Sequence, residues 1–246
     1  MLTFLRKIRQ SLIVSGSVRK PATPAGRYLL YAIGEIAVVV IGILIALQIN
    51  NWNERRKDRI LEHETLQEIA ENISLNIEVF EDYVSGLEYM NTPSDYVLDV
   101  LHGVIPYTDS LDLIINNAIY QRNNIEYSTV AYESLKNNNL NLIRNRKLKK
   151  EIVSLFEISY PNLTKVLEWE NEEKVQDYMD HHFYPMSSET GLIWKPYNIE
   201  VILKDDYFKS LIAKVKIQRD FYVWQARKPL EKSKSVLRLI IEELSK

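Results

Sequence analysis

The stretch Leu29-Leu-Tyr-Ala-Ile-Gly-Glu-Ile-Ala-Val-Val-Val-Ile-Gly-Ile-Leu-Ile-Ala-Leu-Gln-Ile49 decides how the rest of the chain is read. Its 21 residues at a helical rise of ~1.5 Å reach about 31 Å, matching a hydrocarbon core of about 30 Å. Tyr28 and Tyr31 stand near one end and Trp52 near the other, where amphipathic rings settle among headgroups. A core helix is rarely apolar on all faces over this length. A cleaved signal has a shorter apolar region and a small-residue cleavage site, whereas here Asn50-Asn-Trp-Asn-Glu-Arg-Arg56 follows directly. A retained transmembrane helix over residues 28–50 is therefore expected.

On the N-terminal side, Arg6, Lys7, Arg9, Arg19, Lys20 and Arg27 stand without an acid. The chain's net charge of −2 thus combines +6 in residues 1–27 with −8 in the remainder. Basic residues gather on the cytoplasmic side of a span, although Arg55, Arg56, Lys57 and Arg59 follow the run closely. The expected placement is a bacterial inner membrane, single-pass, with a cytoplasmic N-terminus and a periplasmic body over residues 51–246. Leu2, Leu5, Ile8 and Leu12 near helical spacing fit either a surface-lying amphipathic piece or a charged tail that fixes topology. An acidic body offers no electrostatic reason to expect nucleic acid as a partner.

The span itself carries two marked features. Glu35 lies about two turns inside, where a carboxylate is costly. Gly34, Val38, Gly42 and Ala46 form an i, i+4 ridge whose small members let helices approach closely. One reading is a helix–helix contact at Gly34, Glu35, Gly42 and Ala46, within a homo-oligomer or with another envelope protein. The other is a Glu35 that snorkels to the headgroups beside lipid-facing glycines.

Tyr31-Ala-Ile-Gly-Glu-Ile36 and Val40-Ile-Gly-Ile-Leu-Ile-Ala-Leu-Gln-Ile-Asn-Asn-Trp-Asn-Glu54 resemble the signature of a family of single-span membrane proteins of Bacteroidetes, classed as a domain of unknown function. Phe4-Leu-Arg-Lys-Ile-Arg-Gln10, Ala131-Tyr-Glu-Ser-Leu-Lys136 and Leu140-Asn-Leu-Ile143 are similar to that family too. The resemblance implies a membrane protein of a Gram-negative envelope. It carries no catalytic residues across.

Beyond the span, Leu66, Ile69, Ile73, Ile77, Phe80, Val84 and Leu87 repeat at helical spacing and predict one buried helix face. Gly (7) and Pro (8) are scarce in 246 residues, which favours long helices. Thr92-Pro93-Ser94-Asp95 reads as the start of a short helix to about His102. Helices are expected over 110–122, 129–137, 146–182 with a kink at Pro161, and 205–244 with a kink at Pro229. The stretch 183–203 reads as a loop. The fold class is all-α: one N-terminal transmembrane helix continuing into an antiparallel helical bundle.

Candidate chemistry is sparse. Cysteine is absent, which excludes disulfides and thiolate sites. Asp177 and His181 at i, i+4, with His182 adjoining, could supply metal ligands, but surface hydrogen bonding explains them as well. Glu168, Glu170, Glu172 and Glu173 read as a solvated acidic face. Arg144, Arg146, Lys147, Lys149 and Lys150 read as a solvated basic one, or a dock for headgroups or an acidic partner. No Gly-rich phosphate loop, Gly-x-Ser-x-Gly elbow or His-Glu-x-x-His occurs. The expectation is a non-enzymatic, cofactor-free interaction or scaffold module. The alternative is an extracytoplasmic ligand-sensing domain signalling through a partner, since about 27 residues before the span are too few for an output domain.

Overall fold

The computed structural model describes residues 24–119, 124–138, 140–167, 172–188 and 191–246. The basic segment before Pro24, the acidic residues Glu168 and Glu170, and the side chains of Tyr31 and Glu172 lie outside the described residues. The chain divides into two compact units, one ending at Leu61 and one spanning Glu62–Lys246.

The first unit contains the N-terminal part of helix α1, which runs Pro24–Leu101. Its apolar run is bare. Ile36 is 63% exposed and Ile43 55%, and none of the most apolar window of the helix is buried. This helix is long and apolar enough to cross a membrane.

The second unit is a helical bundle. After the C-terminal part of α1 come α2 (Ser110–Ile119), α3 (Val130–Asn138) and α4 (Arg146–Ser154). A π-turn (Leu155–Ser159), α5 (Tyr160–Val166) and α6 (Glu172–His182) follow. Strands β1 (Phe183–Ser188) and β2 (Gly191–Pro196) precede α7 (Ile199–Lys204) and α8 (Asp206–Leu244). Ion pairs and a hydrogen bond set the direction of α8 against α1. Glu81 meets Lys234, Glu88 meets Arg227, Asn91 meets Asp220 and Asp95 meets Lys216. One numbering climbs as the other falls, so the two helices are antiparallel.

Two cores hold the bundle. The first gathers Leu66, Ile69, Ile73, Phe80 and Leu87 of α1 with Ile152, Phe156, Tyr160, Tyr222 and Ile240. The second gathers Val97, Leu111, Ile115, Met179, Phe183, Phe208 and Ile212. Burying each large aliphatic or aromatic side chain contributes about 1.5–3 kcal/mol. The face marked by apolar spacing from Leu66 to Leu87 is the face that is buried.

Three sequence expectations are corrected. Thr92-Pro93 does not begin a helix: α1 passes through Pro93 to Leu101. A proline withholds its N–H and crowds the preceding turn. The carbonyl that Pro93 leaves without its N–H is that of Tyr89; one residue on, in the same turn, the Met90 carbonyl accepts Ser94 Oγ at 3.2 Å and Arg219 Nη1 at 2.7 Å. The helix ends where Gly103, at φ 74°, takes the left-handed conformation of a C-terminal cap.

Nor is 146–182 one helix. The π-turn precedes Pro161, with the Tyr160 N–H donating to the Leu155 carbonyl five residues back, and α5 closes at Val166. Leu163 and Leu167 belong to the first core, whereas Val175, Tyr178 and Met179 belong to the second. One straight helix does not serve both.

The stretch 183–203 is a hairpin and a helix rather than a loop. β1 and β2 pair antiparallel with Phe183 opposite Pro196 and Pro185 opposite Trp194. The prolines hide the strand signal, yet Phe183 and Ile193 are buried and Trp194 packs on the second core. Asn198 Oδ1 then caps α7 by accepting the N–H groups of Glu200 and Val201 at 3.0 and 3.4 Å. At Pro229 the sequence predicts a kink, and α8 is helical on both sides of it.

Candidate functional site

The most conspicuous chemistry lies on α1 between Tyr28 and Trp52, which are 78% and 65% exposed. Twenty-four residues of helix separate them, about 36 Å, the span of a hydrocarbon core with its headgroup margins. Between them, a Cβ added to Gly34 or Gly42 would meet nothing within 4 Å. The small-residue ridge is therefore open in a single copy. Glu35 lies seven residues before Gly42 and eleven before Ala46, about two and three turns, so the carboxylate shares a face with those two. Gly34, one residue before Glu35, stands about 100° round the helix from it.

The other residues singled out by sequence are surface groups with local partners. His181 Nδ1 lies 2.7 Å from the Asp177 carbonyl oxygen and 3.5 Å from its carboxylate, with both side chains exposed. That backbone hydrogen bond, and then the carboxylate charge, raise the His181 pKa above its ordinary value. His182 stacks on Tyr178 at 4.3 Å between centroids. Among the described residues no group of three or more His, Cys, Asp or Glu is arranged to hold a metal ion. In the basic cluster, the Arg144 N–H donates to Glu62 Oε1 at 2.7 Å, and Asn145 Oδ1 caps α4 through the N–H groups of Lys147 and Leu148. The cluster thus sits on the first turn of a capped helix.

Polar side chains in the bundle interior hold elements to one another. Asn76 grips the backbone of Ser128 from both sides, donating to its carbonyl at 2.8 Å and accepting its N–H at 2.7 Å. Tyr160 Oη lies 2.9 Å from Ser233 Oγ. Tyr178 donates to Asp205 Oδ2 at 2.6 Å, while Asp205 Oδ1 caps α8 through Tyr207 and Phe208. Burial works against ionisation of Asp205, but these three hydrogen bonds and nearby His182 outweigh it and hold its pKa below the ordinary value. Fully buried Arg219 donates to the carbonyls of Met90, Asn117 and Ala118 and to Ser94 Oγ. Burial pushes its pKa down to about 10, with Asp220 opposing.

One feature escapes the sequence reading. On α8, Ile217, Phe221 and Trp224 are 68%, 43% and 57% exposed, although Tyr222, Val223 and Ala226 beside them are buried. Their i, i+4, i+7 spacing was legible, but α8 is apolar on two faces, and spacing does not tell which face the bundle covers.

No family model, no curated protein and no solved structure matches this chain.

Proposed function

We propose that this protein is a membrane-tethered helical interaction module of a bacterial cell envelope. In this reading residues 28–50 cross the inner membrane, the N-terminus is cytoplasmic, and residues 51–246 work in the periplasm. There they engage another envelope protein or further copies of the chain. The anchor resembles that of the Bacteroidetes single-span family along Tyr31–Ile36 and Val40–Glu54.

The observation that carries this reading is the contrast along α1. Leu29, Ile33, Ile36 and the apolar side chains from Val39 to Ile49 lie exposed, whereas Leu66, Ile69, Ile73, Phe80 and Leu87 are buried. In water each bare aliphatic side chain forgoes about 1.5–3 kcal/mol; in hydrocarbon that penalty vanishes. The six cations before the run support the orientation.

Extraction and reporter fusions test the proposal together. The full chain is expected to stay in membranes washed with alkaline carbonate. Alkaline phosphatase fused after Lys246 is expected to be active, and a fluorescent protein there dark. Release by carbonate overturns the tether, and the opposite reporter pattern overturns the periplasmic placement. For the interaction role, purification in several mild detergents is expected to yield a complex or oligomer; a monomer in all of them overturns it.

A further inference from the structure

We propose that the outer ridge of α8, Ile217–Phe221–Trp224, is the docking surface of the module and that its occupant is an acidic amphipathic helix of another protein. The inference rests on the interaction-module reading and names the face and the chemistry it would use. Phe221 and Trp224 stand 6.1 Å apart between ring centroids, and Lys228 Nζ lies 3.4 Å over the Trp224 ring. Such a stacked cation orders the indole in place, and a rigid, exposed Trp is the side chain on which interface energy concentrates.

Charge identifies the occupant. On α8, Lys209 meets Asp206, Lys216 meets Asp95, Lys232 meets Glu151 and Lys234 meets Glu81. Lys214 and Lys228, which bracket the apolar ridge, meet no carboxylate among the described residues. They stand fourteen residues apart on one face, about 21 Å. A helix laid along the ridge would present apolar side chains at i, i+3 or i+4 and i+7 to Ile217, Phe221 and Trp224, with a carboxylate for a lysine at each end.

Neither other occupant fits as well. Two copies packed symmetrically through the ridge would set Lys214 of one against Lys228 of the other when antiparallel, or each lysine against its like when parallel. An anionic lipid surface is far broader than one helix, so it would face the net −8 of residues 28–246 and not only the ridge between Lys214 and Lys228.

The test uses the full chain in phosphatidylcholine nanodiscs and two labelled helical probe peptides of about 16 residues. Both carry Leu at i, i+3 and i+7; one has Glu at each end and the other Lys. By fluorescence anisotropy the Glu peptide is expected to bind about tenfold tighter than the Lys peptide. Lys214→Glu with Lys228→Glu is expected to invert that preference, and Trp224→Ala to weaken both peptides about tenfold, with thermal unfolding unchanged. Equal binding of the two peptides, a preference that survives charge reversal, or indifference to Trp224→Ala overturns the proposal. So does binding to phosphatidylglycerol vesicles, or self-association in detergent, that is lost in Trp224→Ala. Peptide discrimination by a chain that carbonate strips from membranes would remove the tether and keep the dock. A retained chain that does not discriminate would do the reverse.

Discussion

Arg219 Nη1 lies 2.7 Å from the carbonyl oxygen of Met90, in the turn of α1 that Pro93 disrupts. The same guanidinium reaches Ser94 Oγ at 2.7 Å and the Ala118 carbonyl at 2.8 Å, tying α8, α1 and α2 at one buried point. A buried cation is costly when its donors lack partners; here carbonyls and a hydroxyl receive Nη1 and Nη2.

Arg219→Met keeps the stem and removes the donors, stranding buried carbonyls. It is expected to destabilise the bundle by about 2–4 kcal/mol, measured by urea unfolding of the detergent-solubilised chain. Pro93→Ala restores the N–H that the Tyr89 carbonyl lacks and relaxes the turn that holds Met90. A double-mutant cycle is expected to show coupling of about 1 kcal/mol; strict additivity would detach Arg219 from the proline turn.

Asn76 fixes the segment before α3 by holding Ser128 through both backbone groups. Asn76→Ala is expected to cost about 2–3 kcal/mol and to speed hydrogen exchange of the Ser128 amide more than that of its neighbours. Tyr160→Phe, which removes only the hydroxyl facing Ser233 and Asn76, should cost about 1 kcal/mol. Unaltered Ser128 exchange in Asn76→Ala would contradict the clamp.

The Asp205 carboxyl titrates below its ordinary value in the folded chain. A depressed carboxyl stabilises the fold above its unfolded pKa, and that contribution is lost as pH falls through the lower, folded pKa. The window therefore lies below about pH 4. Over it the wild-type midpoint temperature is expected to fall more steeply than that of Asp205→Asn, which keeps a capping oxygen but has no proton to take up. Parallel curves for the two proteins would exclude the contribution.

On α1 Gly42 and Ala46 share a face with Glu35, and the surface at Gly42 is open. Gly42→Leu fills the approach path of a second helix and Glu35→Leu removes the polar contact. Each is expected to lower association in the membrane about tenfold, read by energy transfer between labelled copies. Unchanged association in both variants would return these residues to the lipid.

Much of the architecture was legible because its causes are local. The run Leu29–Ile49 is apolar whatever surrounds it, and the spacing from Leu66 to Leu87 marks one face at helical period. Asp205 before Asp206-Tyr-Phe208 announces a helix start by its side-chain chemistry alone. That Gly42 and Ala46 share Glu35's face follows from counting turns.

What neighbours in sequence leave undecided was settled by groups far along the chain. Pro93 ends a helix by local rules, yet it sits inside one whose flanking residues Val97, Val100 and Leu101 are buried in the second core, with a guanidinium 129 residues from Met90 held in the same turn. Pro185 and Pro196 argue against strands, and the hairpin forms because Phe183 and Trp194 find the second core while Ile193 is buried. Ile217, Phe221 and Trp224 carry the same apolar signal as Tyr222 and Ala226. Only the packing of α8 against α1 determines which set is covered and which faces outward, because periodicity reports that a face is apolar and not what lies against it.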